Sequence, residues 1–447
     1  MERRKKRRRL IEIVKDILIV LLALSAVYLT MRTQIGGLVG WDGRWISGLF
    51  SGRHGGLLPV AGEETRETIQ TRPVRMSVQL GSGGRYGVQY DQTAVDALYD
   101  ATASLLGDAL GSAQEPVQIT EATWREALSN KWGIYFDFQG TVPLTVLSAS
   151  LSGAVNQALP EEGVRRLLLA EEEGAVRLYY SNESTGLYYA CDTAEALRGH
   201  VQTAAAAYSP NGTVFAYETS YAELAPYVMV AATQVSPKVY HAVNPVAQMS
   251  ESDREELMES LGFHPQSNNS YRSGDRLIVN EWPDRLSILD DGHVRYETSA
   301  SDEPKYPVGT VGEDVDAKAV TEATWTLAEQ TLGERCGAAR LYLMNVEEMG
   351  EGEWVADYGY CLNGAAVELG SDGYAARFII QDGQITEFEL FFRNYTDTGE
   401  QSIVLPEAQA AAAMSAQKVE GSELLLAYED TGTTELLRAE WIAIQTP

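Results

Sequence analysis

Cysteine and histidine are scarce in this chain, and their arrangement excludes more than their number does. Cys191, Cys336 and Cys361 are the three cysteines in 447 residues, and no two form a C-x-x-C pair. Neither a cysteine zinc site nor a thioredoxin-type motif is therefore encoded. A Cys336–Cys361 bridge is one alternative; three small buried thiols is the reading we favour. The five histidines, His54, His200, His241, His264 and His293, make no H-E-x-x-H or H-x-H pattern, so helical metal ligation has no signal. There is no G-x-S-x-G elbow and no G-x-x-x-x-G-K-[ST] phosphate loop. Ser415-Ala416-Gln417-Lys418 matches the S-x-x-K of penicillin-recognising enzymes, but no S-D-N or K-T-G follows, and we read it as coincidence. Pairs such as Glu347-Glu348 are what an acidic chain carries and define no glycosidase dyad. No catalytic residue, metal or cofactor is assigned.

Basic residues are also few once the N-terminus is set aside. The chain has 35 Lys+Arg against 63 Asp+Glu. Residues 1–31 hold eight of the basic and three of the acidic groups, which leaves 27 against 60, a net of −33, in residues 32–447. Such a surface repels nucleic acid and anionic lipid headgroups. With 45% apolar residues it can still bury real cores and is no disordered acidic tail.

What is present at the N-terminus is a solid basic block, Arg3 to Arg9, followed by an apolar stretch from Leu10 to Met31 whose part from Ile17 onward has no charge. A helix needs about 20 apolar residues to cross a bilayer, and residues 10–31 supply them if Lys15 snorkels to the headgroups. We expect a cytoplasmic tail at 1–9, a single transmembrane helix at 10–31 and everything beyond it extracytoplasmic, by the positive-inside rule. A cleaved signal peptide is the rival, but Ala23-Leu24-Ser25 is a poor cleavage site. The small residues Ala23, Ser25 and Ala26 are candidates for close approach to a partner helix, with ordinary lipid-facing positions as the alternative. Residues 32–72 form a Gly-rich linker. Trp41 and Trp45 in it, with Lys15, are candidate membrane-interface residues; a short interfacial helix and a plain tether are both open, and we favour the tether.

Beyond the linker the patterning predicts an α+β chain with antiparallel sheets, divided as an N-terminal α+β unit at 73–249, a middle helix-plus-meander unit at 250–316 and a C-terminal unit at 317–447. In the first, Val74–Leu80 and Arg85–Tyr90 read as a hairpin, Thr93–Leu110 as a helix, Ile134–Phe138 as a strand, and 165–170, 176–181 and 186–191 as a meander. Ala194–Tyr208 reads as an Ala-rich helix and Thr213–Glu218 as a strand. In the second, Ser250 caps a helix that stops at Gly262, and strands follow at 271–281, 285–289 and 293–298, the last two joined by Asp291-Gly292. In the third, Thr321 caps a helix to Leu332. Strands near 340–346, 354–362, 375–381 and 384–393 come next, Asp382-Gly383 making a tight turn. A helix then runs from Pro406 to Lys418, ahead of strands at 423–429 and 435–444. The pentapeptide Thr120-Glu121-Ala122-Thr123-Trp124 recurs at Thr321–Trp325. Tyr179, Tyr180, Tyr188 and Tyr189 suggest either an aromatic cleft or side chains alternating between two sheet faces.

The stretch LMESLGFHPQSNNSYRSGDRLIVNEWPDRLSILDDGHVRYE at 257–297 resembles the YycH family, membrane-anchored regulators of a cell-wall two-component system in Gram-positive bacteria. GYAARFIIQDGQITEFELFF at 373–392 and the ending Leu437–Ile444 are similar to the C-terminal regions of YycH and its partner YycI, which have folds similar to PepSY domains. The resemblance implies a non-enzymatic regulator held at the cell membrane that contacts a YycI-like single-pass protein and a WalK-like sensor histidine kinase. The alternative is an envelope ligand-binding or sensor module for a peptide or glycan. A cell-wall hydrolase would need an ordered acid or nucleophile, which the sequence does not offer.

Overall fold

The computed structural model describes residues 71–447, except 220, 222–223, 226, 233, 266–268, 300–302, 310–314, 371–372, 417–420 and 446–447. The expected anchor at 10–31 lies outside the described residues, as does the linker up to residue 70. Among the described residues no helix is long and apolar enough to cross a membrane.

β1 (Arg75–Leu80) turns back into β2 (Arg85–Gln89). α1 (Gln92–Ser112) is capped by Asp91, which accepts the Ala94 N–H, and buries Val95, Leu98, Leu105, Leu106 and Leu110 at helical spacing. β3 (Val117–Ile119) leads to α2 (Glu121–Asn130), where Thr120 is the cap and accepts the Thr123 N–H. β4 (Trp132–Pro143) is longer than expected and runs into α3 (Leu144–Ser152). α3 was not expected: its first five residues, polar Thr145 and Ser148 included, are all buried, so polarity there does not mark an exposed helical face. β5 (Gly163–Glu172), β6 (Ala175–Asn182) and β7 (Leu187–Asp192) form the expected meander. Together these strands make one antiparallel sheet in the order β2-β1-β4-β5-β6-β7-β3.

Two expectations fail in the next segment. The helix at 194–208 shrinks to a 3₁₀ turn at Glu195–Leu197 and α4 (His200–Ala205). Gly199, at φ +78°, breaks the run, and the Glu171 carboxylate accepts the Gly199 and Gln202 N–H groups, starting a new helix there. The strand at 213–218 is only β8 (Val214–Phe215), which pairs with β9 (Met229–Val230). Glu218 reaches back to the Phe215 N–H and winds 216–218 into a 3₁₀ turn.

β10 (Lys238–Val243) and α5 (Pro245–Gln248) precede α6 (Glu251–Ser260), where the expected Ser250 cap forms a capping box with Asp253. The single strand expected at 271–281 is a hairpin, β11 (Ser270–Ser273) and β12 (Arg276–Glu281), turning at Gly274 with φ +66°. β13 (Asp284–Leu289) and β14 (His293–Glu297) are joined at Asp291-Gly292 as read. His293 is stacked on Phe391 with ring centroids 4.3 Å apart.

α7 (Ala317–Thr331) starts five residues earlier than expected. Asp316 caps it, and Thr321 is interior, its hydroxyl donating to the Ala317 carbonyl at 2.6 Å. The repeated pentapeptide therefore caps one helix and fills the middle of another. β15 (Arg340–Gly350), β16 (Glu353–Leu362), the unexpected β17 (Ala365–Leu369), β18 (Ala376–Gln381) and β19 (Gln384–Phe391) follow. Asp382 and Gly383 both take positive φ in the β18–β19 turn, as a two-residue hairpin with this sequence does. The chain ends with β20 (Asn394–Gln401), α8 (Glu407–Ser415), β21 (Ser422–Asp430), β22 (Leu436–Leu437) and β23 (Ala439–Gln445).

The large sheet has eleven strands, β11-β12-β13-β14-β19-β18-β16-β17-β21-β23, with β15 also on β16; β20, β10 and β22 form a small sheet. The β17–β21 ladder is parallel and the other described ladders are antiparallel. The β14–β19 ladder, with Val294 opposite Leu390 and Tyr296 opposite Phe388, ties the 250–316 segment to 317–447 in one sheet. α7 packs on the inner face of that sheet, where the Thr324 and Tyr358 hydroxyls are 2.7 Å apart and Trp325 lies against the Tyr358 ring. Cys191, Cys336 and Cys361 are all buried thiols in no disulfide.

Candidate functional site

The candidate residues Lys15, Ala23, Ser25, Ala26, Trp41 and Trp45 all lie outside the described residues. Among the described residues no group of three or more His, Cys, Asp or Glu could hold a metal ion. The four tyrosines form no cleft. Tyr180 stacks on Tyr189 on one face of the first sheet, while Tyr179 and Tyr188 join the cluster on the other with Trp124. α8 ends at Ser415, and Lys418 of the S-x-x-K match lies outside the described residues.

Among the described residues, a dense cluster of charge is buried and internal. Arg75 on β1, Asp137 on β4 and Arg166 on β5 stand in one cross-strand row. A register irregularity between Val164 and Leu167 brings consecutive Arg165 and Arg166 to the same partners, where a regular strand would point them to opposite faces. Arg165 donates to Asp137 Oδ1 at 2.9 Å and grips Glu423 on β21 with two bonds of 2.7 and 2.8 Å. Arg166 donates to Glu423 Oε2 at 3.0 Å and to Glu183 at 2.7 Å, with its guanidinium 3.6 Å from the Tyr227 ring centroid. Burial alone would push the Asp137 carboxyl up; Arg165, Arg75 and Arg166 outweigh it and hold the group well below the usual carboxylate range. Glu423 is lowered by the same three arginines against its own burial. Three guanidiniums and three carboxylates pair with one another here, only the Arg166 Nε lacking a hydrogen-bond partner within the cluster, so the cluster fastens the first sheet to the large one.

Glu407 differs. It sits at the start of α8, accepts from Gln89 at 2.6 Å and from the Ala231 N–H at 2.8 Å. Burial, opposed by these two bonds and by the charge of Arg75, pushes its pKa up to about 7.

The exposed candidate is the outer face of the large sheet, opposite α7. Strand register places one row of side chains straight across it: Tyr271, Ile278, Ser287, Arg295, Glu389, Arg377 and Asp357. From Arg295 onward the charges alternate. Arg295 donates to Glu389 at 2.7 Å, and Arg377 takes Asp357 with two bonds of 2.7 Å while lying over the Tyr374 ring. The adjacent row is Asn280, Arg285, Glu297, Glu387 and Ile379. Arg285 donates to Glu297 at 2.9 Å, but Glu297 stands directly opposite Glu387, and Glu387 makes no ion pair among the described residues. Arg276, beyond the first row, has only Asp275 at 3.7 Å. These rows border a groove of about 280 Å³. Alternation made the outward side chains legible in the sequence; the register that aligns them across strands was not.

No family model matches the chain, and no curated protein matches it. Among solved structures, the crystal structure of YycH from Bacillus subtilis aligns with a TM-score of 0.54, covering 86% of this chain and 95% of that one at 12% identity. The fold is YycH-like. Coverage of that extent takes the likeness beyond 250–447, where the motifs lie, into the seven-stranded sheet. At this identity the likeness to YycH concerns the fold alone.

Proposed function

We propose that this chain is a non-enzymatic, single-pass regulator whose extracytoplasmic region modulates a sensor histidine kinase, together with a YycI-like single-pass protein. The observation that carries the reading is a YycH-like fold over 86% of the chain, and the N-terminal basic block with its apolar stretch agrees with it. The described residues support a binding role better than a catalytic one: their buried charges are spent on one another, and their exposed charges form ladders on a sheet face. Regulation of this kind is a population shift, in which the chain binds the kinase's two states with different affinity.

The test is a crosslinking pull-down of the full-length chain from native membranes. Recovery of a sensor kinase, with a YycI-like protein, is the expected result. Recovery of neither, with retention of the extracytoplasmic region on purified cell wall, moves the assignment to a ligand-binding envelope module.

A further inference from the structure

We propose that the outer face of the large sheet docks an extended segment of a protein partner that carries a carboxylate and a cationic side chain roughly 10 Å apart, two strand spacings. The inference rests on the regulator reading only in taking the occupant to be a protein of the membrane.

The face is built for both signs of charge. Arg276, Arg285 and Arg295 surround the small Ser287: Arg295 is directly opposite it, Arg285 is two residues back on its own strand, and Arg276 lies two residues from its partner Ile278. All three line the groove with Ser287. The Arg285 Nε is buried without a hydrogen-bond partner, and Arg276 is held only by its sequence neighbour at 3.7 Å. A carboxylate over Ser287 would meet the outward ends of the Arg276 and Arg285 guanidiniums in the forked geometry that guanidinium favours, the buried Nε itself lying out of its reach. Two strands away, Glu387 faces Glu297. Like charges directly opposite are unfavourable in a sheet, and a lysine or arginine placed between them removes the repulsion. The same glutamates argue against a polyanion such as a phosphodiester wall polymer. They would repel it at the far end of a groove whose near end attracts it. In a chain of net charge −28, this concentration of arginine is what an acidic partner segment would find. Tyr271, about half exposed at the free edge strand β11, continues the row and supplies an aromatic contact of the kind enriched at interfaces.

The experiment places a photoreactive p-benzoylphenylalanine at Tyr271 in the full-length chain in native membranes, with the same probe at Val117, exposed on the edge of the other sheet, as control. Expected is a product from the Tyr271 probe and not from the Val117 probe, joined to a protein peptide bearing both an acidic and a basic residue. Arg285→Glu combined with Glu387→Lys lowers its yield about tenfold, in the range that charge reversal at an interface produces. The swap Arg285→Glu with Glu297→Arg keeps the cross-strand pair, and so the fold, and also lowers it. Capture of a second copy of this chain, capture of an anionic polymer, or a yield insensitive to both charge variants overturns the proposal. If the pull-down recovers a kinase or a YycI-like protein and the Tyr271 probe reaches neither, the face assignment fails while the regulator reading stands. If the probe captures another envelope protein with the expected charge sensitivity, the face stands and the regulator reading fails.

Discussion

Arg166 and Glu423 are 257 residues apart in the chain and 3.0 Å apart in the fold, both buried. One belongs to the seven-stranded sheet and the other to the eleven-stranded sheet, so this bond and the arginines beside it join the two sheets, alongside the shared apolar core. Removing one partner of a buried ion cluster leaves an uncompensated charge and costs roughly 3–5 kcal/mol. Glu423→Gln is expected to lower unfolding stability by that order in urea titrations.

Acid should act on the same cluster. The Asp137 and Glu423 carboxyls are held below their ordinary range in the folded chain, so their contribution is present above about pH 4.5 and is lost as pH falls through their folded values. Urea midpoints should therefore fall below about pH 4.5, and the fall should be smaller in Glu423→Gln, which has already lost one of the two groups.

Glu407 has the opposite sign. Its folded pKa of about 7 lies above the ordinary 4.5, so its contribution is intact below about pH 4.5 and is lost as pH rises through 7, at a cost of roughly 3 kcal/mol. Glu407→Gln stays neutral: its oxygen accepts the Ala231 N–H, and its amide donates to Gln89 once that amide turns over. The variant should match the parent near pH 5 and exceed it near pH 8, measured by urea unfolding at both.

Gly140 stands where β4 passes β15. A Cβ there would fall 2.0 Å from the Leu343 carbonyl oxygen and 2.7 Å from Met344 Cα, both backbone atoms that cannot turn aside. Gly140→Ala is expected to cost about 1–3 kcal/mol, as overpacking does. Thermal unfolding checks it.

The thiols offer a fifth prediction. Burial pushes Cys191 up to about 12 and Cys361 up to about 11, and the thiolate is the reactive form. A thiol reagent at pH 8 should label the folded chain very slowly and modify all three cysteines once urea is added.

Features held by a few neighbouring residues could be read from the sequence. Asp291-Gly292 and Asp382-Gly383 demanded tight turns, and Ser250 with Asp253 made a capping box. Features set by distant partners could not. Thr120 and Thr321 begin the same pentapeptide, yet what surrounds each decides that one caps and the other sits inside a helix. α3 was invisible because its first five residues are all buried, polar Thr145 and Ser148 included, so polarity marks no exposed helical face there. The Arg165–Glu423 pairing and the cross-strand rows on the outer face depend on register and topology, which no local pattern carries.

The most direct measurement is autophosphorylation of the recovered sensor kinase in proteoliposomes, with and without the full-length chain. A changed rate when the chain is present, reversed when residues 1–31 are deleted, is the expected result. A rate that stays the same while the two proteins remain associated would contradict regulation by contact.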